Sequence, residues 1–362
     1  MTSQRVFISD CEGPISKNDN AFELTNRFIP GGDHFFALLS RYDDVLADVV
    51  RRPGYRAGYT LKLILPFLKA HGATNRKIKE YSSENILLVP GAKDTLRLVK
   101  GIMSSFIVST SYEQYISSLC RLTDFPYENT YCTRLNLDKY EISENEKRRL
   151  EKIGKEISSM PMIEIPEGAR SMQDFSTIDQ KTLRRLDKIF WKEILEMESA
   201  MMLKEVHPIG GSEKADAVRE IAGRLKSSLG DVMYVGDSIT DVSSFQLVRK
   251  HGGLTVSFNG NEYAIREAEI AVISDNTTVT SVLSDTFNTS EKDSVIKLVE
   301  EWSYSGLEKH CANSVLRNRM FKLYPKTLPQ VEMITPANRR RLISESSSFR
   351  KKVRGEAIGR LG

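Results

Sequence analysis

The chain is poor in cysteine and histidine: four cysteines (Cys11, Cys120, Cys132, Cys311) and five histidines stand among 362 residues, and no two cysteines form a CxxC pair. That spacing argues against a disulfide framework or a zinc site and makes a reducing, cytoplasmic setting the expectation. No run of about 18 apolar residues occurs, so no membrane-spanning helix is expected. Residues 1–10 run straight into a strand pattern, without the charged-then-apolar order of a secretory signal. Charge of one sign is also scarce, with 52 Lys+Arg against 48 Asp+Glu. The composition is 40% hydrophobic and 28% charged, enough to bury a sizeable core, and the length fits two domains or one with insertions.

The small positive balance is local. Residues 335–362 hold eight basic residues against Glu345 and Glu356, a net of +6, which leaves the preceding 334 residues at −2 for a chain total of +4. No global basic field points to nucleic acid. Within the tail, Thr335-Pro336 opens a helix, and Leu342, Phe349, Val353, Ala357 and Leu361 fall near one face. Such a helix fits a membrane surface, an acidic protein partner, or packing back on the slightly acidic body.

Patterning gives the architecture. Residues 3–9 form an apolar β-rich run ending at Asp10, and residues 103–109 read as a buried strand. Further on, a helix over 212–225, a strand over 231–235, a helix over 242–250 and strands over 254–258 and 270–273 alternate, which predicts a parallel, doubly wound α/β sheet. The predicted core comprises 1–14, 86–123 and 207–285. Between its parts lie a helical stretch over 15–85 and a second, mostly helical insertion over 124–206. Helices continue over 286–334, with Pro325 and Pro329 making a linker before the basic tail of 335–362.

In open parallel sheets ligands sit beyond the C-terminal strand ends. Those ends carry Asp10-Cys11-Glu12-Gly13, Ser109-Thr110-Ser111 and Gly236-Asp237-Ser238, with Asp241 a turn later and Lys214 opening a helix. Crowded carboxylates repel unless a cation neutralises them, and hard oxygen ligands favour Mg²⁺. A lysine and a hydroxyl bind phosphate oxygens. The set predicts Mg²⁺-assisted phosphoryl transfer.

This ordered set resembles the haloacid dehalogenase (HAD) superfamily of aspartate-nucleophile phosphohydrolases, in its phosphoserine-phosphatase-like branch. Asp10-Cys11-Glu12-Gly13-Pro14 stands where the family has Asp-x-Asp-Gly-Thr, Ser109 matches the second motif, Lys214 the third, and Gly236-Asp237-Ser238-Ile239-Thr240-Asp241 the fourth. The resemblance implies a phosphatase of small phosphorylated metabolites, working through an aspartyl-phosphate on Asp10. It implies Mg²⁺ held by Asp10, the Glu12 main-chain carbonyl and Asp237, with Asp241 in support. Phosphate would lie on Ser109, Thr110 and Lys214, and Glu12 would serve as acid and base. Stretch 15–85 would be the substrate-selecting cap, with Arg56 its specificity residue and Glu23 a possible partner. Two positions depart from the pattern: Glu12 replaces Asp, and Pro14 replaces Thr or Val. The chain is also similar overall to archaeal HAD-like proteins known as subunit R of energy-converting hydrogenase A. That likeness implies the alternative of a weakly active or inactive module docked in a larger complex.

Overall fold

A computed structural model of the chain describes residues 5–361; residues 3 and 4 of the first predicted strand, and residue 362, lie outside the described residues. Seven strands form one sheet in the order β3-β2-β1-β4-β5-β6-β7. They are β1 (Val6–Ser9), β2 (Ser104–Tyr112), β3 (Thr130–Thr133), β4 (Val232–Gly236), β5 (Leu254–Phe258), β6 (Ile270–Ile273) and β7 (Gln330–Met333). The first six are parallel and β7 runs antiparallel to β6.

The uniform apolarity of β1 follows from its central place. Successive side chains point to opposite faces, and both faces are covered. Phe7 packs with Val99, Val279, Leu283 and Leu298, while Val6 and Ile8 pack with Val218, Ile221 and Phe245. Helices therefore lie on both sides, as the alternation predicts, and the fold is α/β.

Two strands escape the sequence reading. β3 falls inside the stretch assigned to the second insertion, and β7 follows the proline linker expected to lead only into the tail. Both are four-residue edge strands, too short to carry a clear period-two signal. β2 also runs on to Tyr112. Its pairing with β3 jumps between Val108↔Tyr131 and Tyr112↔Thr133, so residues 109–111 form an irregularity in the strand. Bulges of this kind re-aim side chains.

The two insertions share one hydrophobic core. Leu24, Phe35, Leu38, Phe67 and Leu68 from the first pack with Leu150, Ile157, Leu186 and Phe190 from the second. Tyr42 donates to Asp187 at 2.6 Å and Arg52 pairs with the same carboxylate at 2.8 Å. The pair make one helical body beside the sheet.

The tail forms the helix Arg339–Arg354, and it packs on the sheet side of the protein. Its buried residues are Leu342, Ser346 and Arg350, a stripe at spacing four; of the predicted apolar face, Leu342 and Leu361 are buried and Phe349 packs partly buried. The helix ends at Gly355, which takes φ +86° and breaks the continuity that the predicted face needs.

Candidate active site

The parallel register explains why distant residues meet. Ser9 pairs with Ile107 on one side and with Val235 on the other. Asp10, the next residue, therefore lies level with the end of the regular part of β2 and with the Gly236-Asp237 turn after β4. The helix Ser212–Leu225 brings Lys214 beneath them.

Lys214 is fully buried, and its Nζ lies 2.6 Å from Asp10 Oδ2 and 2.8 Å from Asp241 Oδ1. Burial opposes its charge, but Asp10 and Asp241 more than compensate and hold its pKa above the usual lysine range. Asp10 is pushed up to about 7, chiefly by burial, with Lys214 pulling it back and Asp241 and Asp237 adding to the rise. The Cys11 N–H donates to Asp10 Oδ1 at 2.6 Å, so both carboxylate oxygens are oriented.

Asp241 has partners on both oxygens. Tyr234 donates its hydroxyl to Oδ1 at 2.8 Å, and the N–H groups of Asp237 and Ser238 reach Oδ2 at 2.9 and 3.1 Å. It braces Lys214 and the turn at 236–241 rather than facing the cavity. Gly13 lies close against Asp237: at φ +100°, a Cβ there would come within 2.1 Å of Asp237 Oδ2. Only glycine fits such a backbone at such a distance.

Ser109 and Ser111 share hydrogen bonds at the strand irregularity, Oγ to Oγ at 3.2 Å and Ser111 N–H to Ser109 Oγ at 3.3 Å. The Thr110 hydroxyl is buried with no protein partner. Glu12 accepts from the Asn20 N–H through Oε1 at 2.7 Å. Burial, together with the nearby Asp19, raises its pKa well above the carboxylate range.

These groups open on a cavity of about 100 Å³. Asp10, Glu12, Ser109, Thr110 and Asp237 line it, as expected of one site. The helical body contributes Asp43, Asp44, Gly58 and Thr60. Asp43 fixes the loop that bears Gly58, accepting from Tyr55 OH at 2.6 Å and from the Gly58 N–H at 2.7 Å. Gly58, at φ +92°, sits against the side chains of Thr110 and Thr240, which closes the loop over the strand ends.

Two predicted specificity residues lie elsewhere. Arg56 pairs with Glu213 and lines a separate depression with Asp48, Tyr55 and Tyr263. Glu213, in the first turn of the Lys214 helix, draws the guanidinium outward. Glu23 accepts from Asn18 Nδ2 through both oxygens, at 2.8 and 3.0 Å, and does not line the cavity.

The arginines at the cavity come instead from the C-terminal helix. Arg350 and Arg354 both donate to Asp237 Oδ2, the latter at 3.1 Å. The basic run of the tail was visible in the sequence, but nothing in its spacing said that these two side chains turn inward.

One oxygen each of Asp10, Asp237 and Asp241 lie within 4.8 Å of one another, all buried. Five carboxyl groups (Asp10, Glu12, Asp19, Asp237, Asp241) meet three basic side chains (Lys214, Arg350, Arg354). This cluster of hard oxygen donors fits a divalent cation of the Mg²⁺ type. Asp10 and Asp237 line the cavity and Asp241 does not, so these two are the carboxylates suited to hold it.

No family model matches the chain, and no curated protein does. Among solved structures, gene product AF1437 from Archaeoglobus fulgidus is similar over 99% of both chains, with 26% identity and a TM-score of 0.81. A phosphoserine phosphatase in apo form covers 75% of this chain and 95% of its own, at 13% identity and TM-score 0.45. A substrate-bound phosphoserine phosphatase complex covers 78% and 98%, at 12% identity and TM-score 0.46. Likeness as distant as these last two has no bearing on chemistry; the reading of the site rests on its geometry.

Proposed function

We propose that the protein is a Mg²⁺-dependent phosphohydrolase of small phosphorylated metabolites, with Asp10 as nucleophile. The observation that carries this reading is the bridge from Lys214 to Asp10 and Asp241, wholly buried at the strand ends.

Asp10 would attack phosphorus in line with the leaving oxygen, forming an aspartyl-phosphate as the ester bond breaks. Lys214 restrains the negative charge on Asp10 and pulls its carboxyl back from the rise that burial imposes. Ser109 and the Thr110 hydroxyl are donors for the transferring oxygens, the latter having no competing protein partner. Glu12 would protonate the leaving alkoxide and then take a proton from the water that hydrolyses the intermediate. Its raised pKa suits the first of these tasks, and the Asn20 N–H fixes one oxygen while the other exchanges the proton. A divalent cation on Asp10 and Asp237, when bound, supplies charge neutralisation for the phosphoryl oxygens. The loop carrying Gly58 and Thr60 acts as the cap that excludes bulk water.

The small cavity and its mixed lining of hydroxyls, acids and Phe36, Leu61 and Leu361 suit a compact metabolite rather than a polymer. A panel of phosphate esters should show phosphate release that needs Mg²⁺ and is lost in Asp10→Asn. Native protein given beryllium fluoride, a mimic of the acyl-phosphate, should take up one equivalent. Undiminished turnover by Asp10→Asn would end this reading.

A further inference from the structure

We propose that Arg350 and Arg354 are positioning residues of this site: acting through Asp237 Oδ2, they weaken its hold on a divalent cation. On this view cation binding and docking of the C-terminal helix oppose one another. The inference rests on the metal-assisted reading above.

The contacts of the helix divide into two parts. Its first half is anchored away from Asp237, in part by the ion pair of Arg341 with Glu332 at 2.6 Å. Leu342 packs with Ile265, Ala271 and Ile273, and the Ser346 hydroxyl donates to the Gly260 carbonyl at 2.6 Å. Its second half is held by the two guanidinium groups. Besides Asp237 Oδ2, Arg350 reaches the main-chain oxygens of Asp237 and Asn259 at 3.4 and 3.5 Å. Arg354 donates Nε to the Lys17 carbonyl at 3.0 Å and its terminal nitrogen to the Asn18 carbonyl.

Most of these acceptors are neutral carbonyls. Asp237 is the one carboxylate that both arginines hydrogen-bond among the described residues; its charge, with that of nearby Asp19 in support, makes burying them tolerable. Arg350 is only 3% exposed, and its Nε is buried with no partner. Its guanidinium is therefore incompletely satisfied even now and depends heavily on that carboxylate.

A divalent cation placed on Asp237 would claim the same charge. It would also sit close to two positive groups at short range in a site of low polarisability, where like charges interact strongly. The linkage is reciprocal: if the arginines lower the affinity for the cation, the cation must loosen the arginines by the same factor. The device resembles a counter-ion built into the chain, offsetting the charge of Asp237 until a cation enters.

The test uses full-length protein without substrate. Mn²⁺ affinity would be measured calorimetrically for the native chain, R350Q/R354Q and R350K/R354K. Removing both charges should tighten Mn²⁺ binding by about tenfold or more, within the usual range of coupling. The lysine pair, which keeps the charge but loses the fork, should stay within a few-fold of native. Both variants retain Leu342 and Ser346, so the helix keeps its uncharged anchors. In the native chain, saturating Mg²⁺ should speed amide exchange over residues 346–354. Unchanged or weaker Mn²⁺ binding by R350Q/R354Q, or exchange indifferent to Mg²⁺, overturns the inference. If these shifts occur in a protein that hydrolyses no phosphate ester, the phosphatase reading alone fails. If Asp10→Asn abolishes hydrolysis while the arginine variants leave Mn²⁺ affinity unmoved, this inference alone fails.

Discussion

Lys214 and Asp241 form an ion pair at 2.8 Å in which neither side chain has any exposure. Removing one member of such a pair leaves a buried, uncompensated charge, which typically costs about 3–5 kcal/mol. Lys214→Met should therefore destabilise the protein by about that amount at neutral pH, read as a lower urea midpoint. The loss should shrink as the pH falls and the freed carboxyls take up protons. A variant that unfolds at the native midpoint would show that the pair does not bear on stability.

Gly13 is held at φ +100° against Asp237. Gly13→Ala combines a left-handed backbone with a Cβ that has no space, and the two together should cost about 2–4 kcal/mol. Because the group in the way is Asp237 itself, cation affinity should fall along with the melting temperature. A purely conformational effect would lower the second and spare the first.

Glu12, proposed above as acid and base, has one methylene more than aspartate. Glu12→Gln keeps the shape and the acceptor for Asn20 but cannot exchange a proton, so kcat should drop by about 10²–10⁴. Glu12→Asp should retain measurable turnover, since the carboxyl chemistry persists. Full activity in the Gln variant would remove Glu12 from the mechanism.

Asp44 carries a pH dependence of its own. It is 2% exposed, its Oδ2 has no hydrogen-bond partner, and the nearest cation, Arg41, is 4.0 Å away. Burial first, and Asp43 second, push its carboxyl up to about 8. A raised folded-state pKa means the folded chain keeps a proton that the unfolded chain gives up. The stabilisation is complete below the unfolded pKa of about 4 and is lost as the pH rises through about 8. Asp44→Asn should flatten this decline and exceed the native protein in stability at pH 9, by an amount on the order of a few kcal/mol. Parallel stability profiles of the two proteins between pH 5 and pH 9 would refute it.

Much of this arrangement could be read from the chain. The helices at 212–225 and 242–250 and the strands at 254–258 and 270–273 fall where the alternation of apolar patterns put them. Asp10, Ser109, Lys214, Asp237 and Asp241 meet because each ends a strand or opens a helix in a parallel sheet, and that topology has one functional edge. The edge strands β3 and β7 were missed because four residues carry little periodicity. Asp43 and Asp44 were overlooked for a different reason. They lie on a helix whose polar residues read as a solvated face, and only the fold shows that this face covers the strand ends.

From the chain alone came the α/β alternation, the acids and lysine that meet at the strand ends, and the concentration of positive charge after residue 335, since these depend on local pattern and strand-end position. Tertiary structure alone decided that two insertions make one helical body, that Arg56 points away toward Glu213, and that Arg350 and Arg354 close on Asp237. Those outcomes depend on which surfaces meet at long sequence separation. The physical reason is that an arginine or a carboxylate looks the same in sequence whether it stays in water or is buried against an opposite charge, and only the surface it meets decides which.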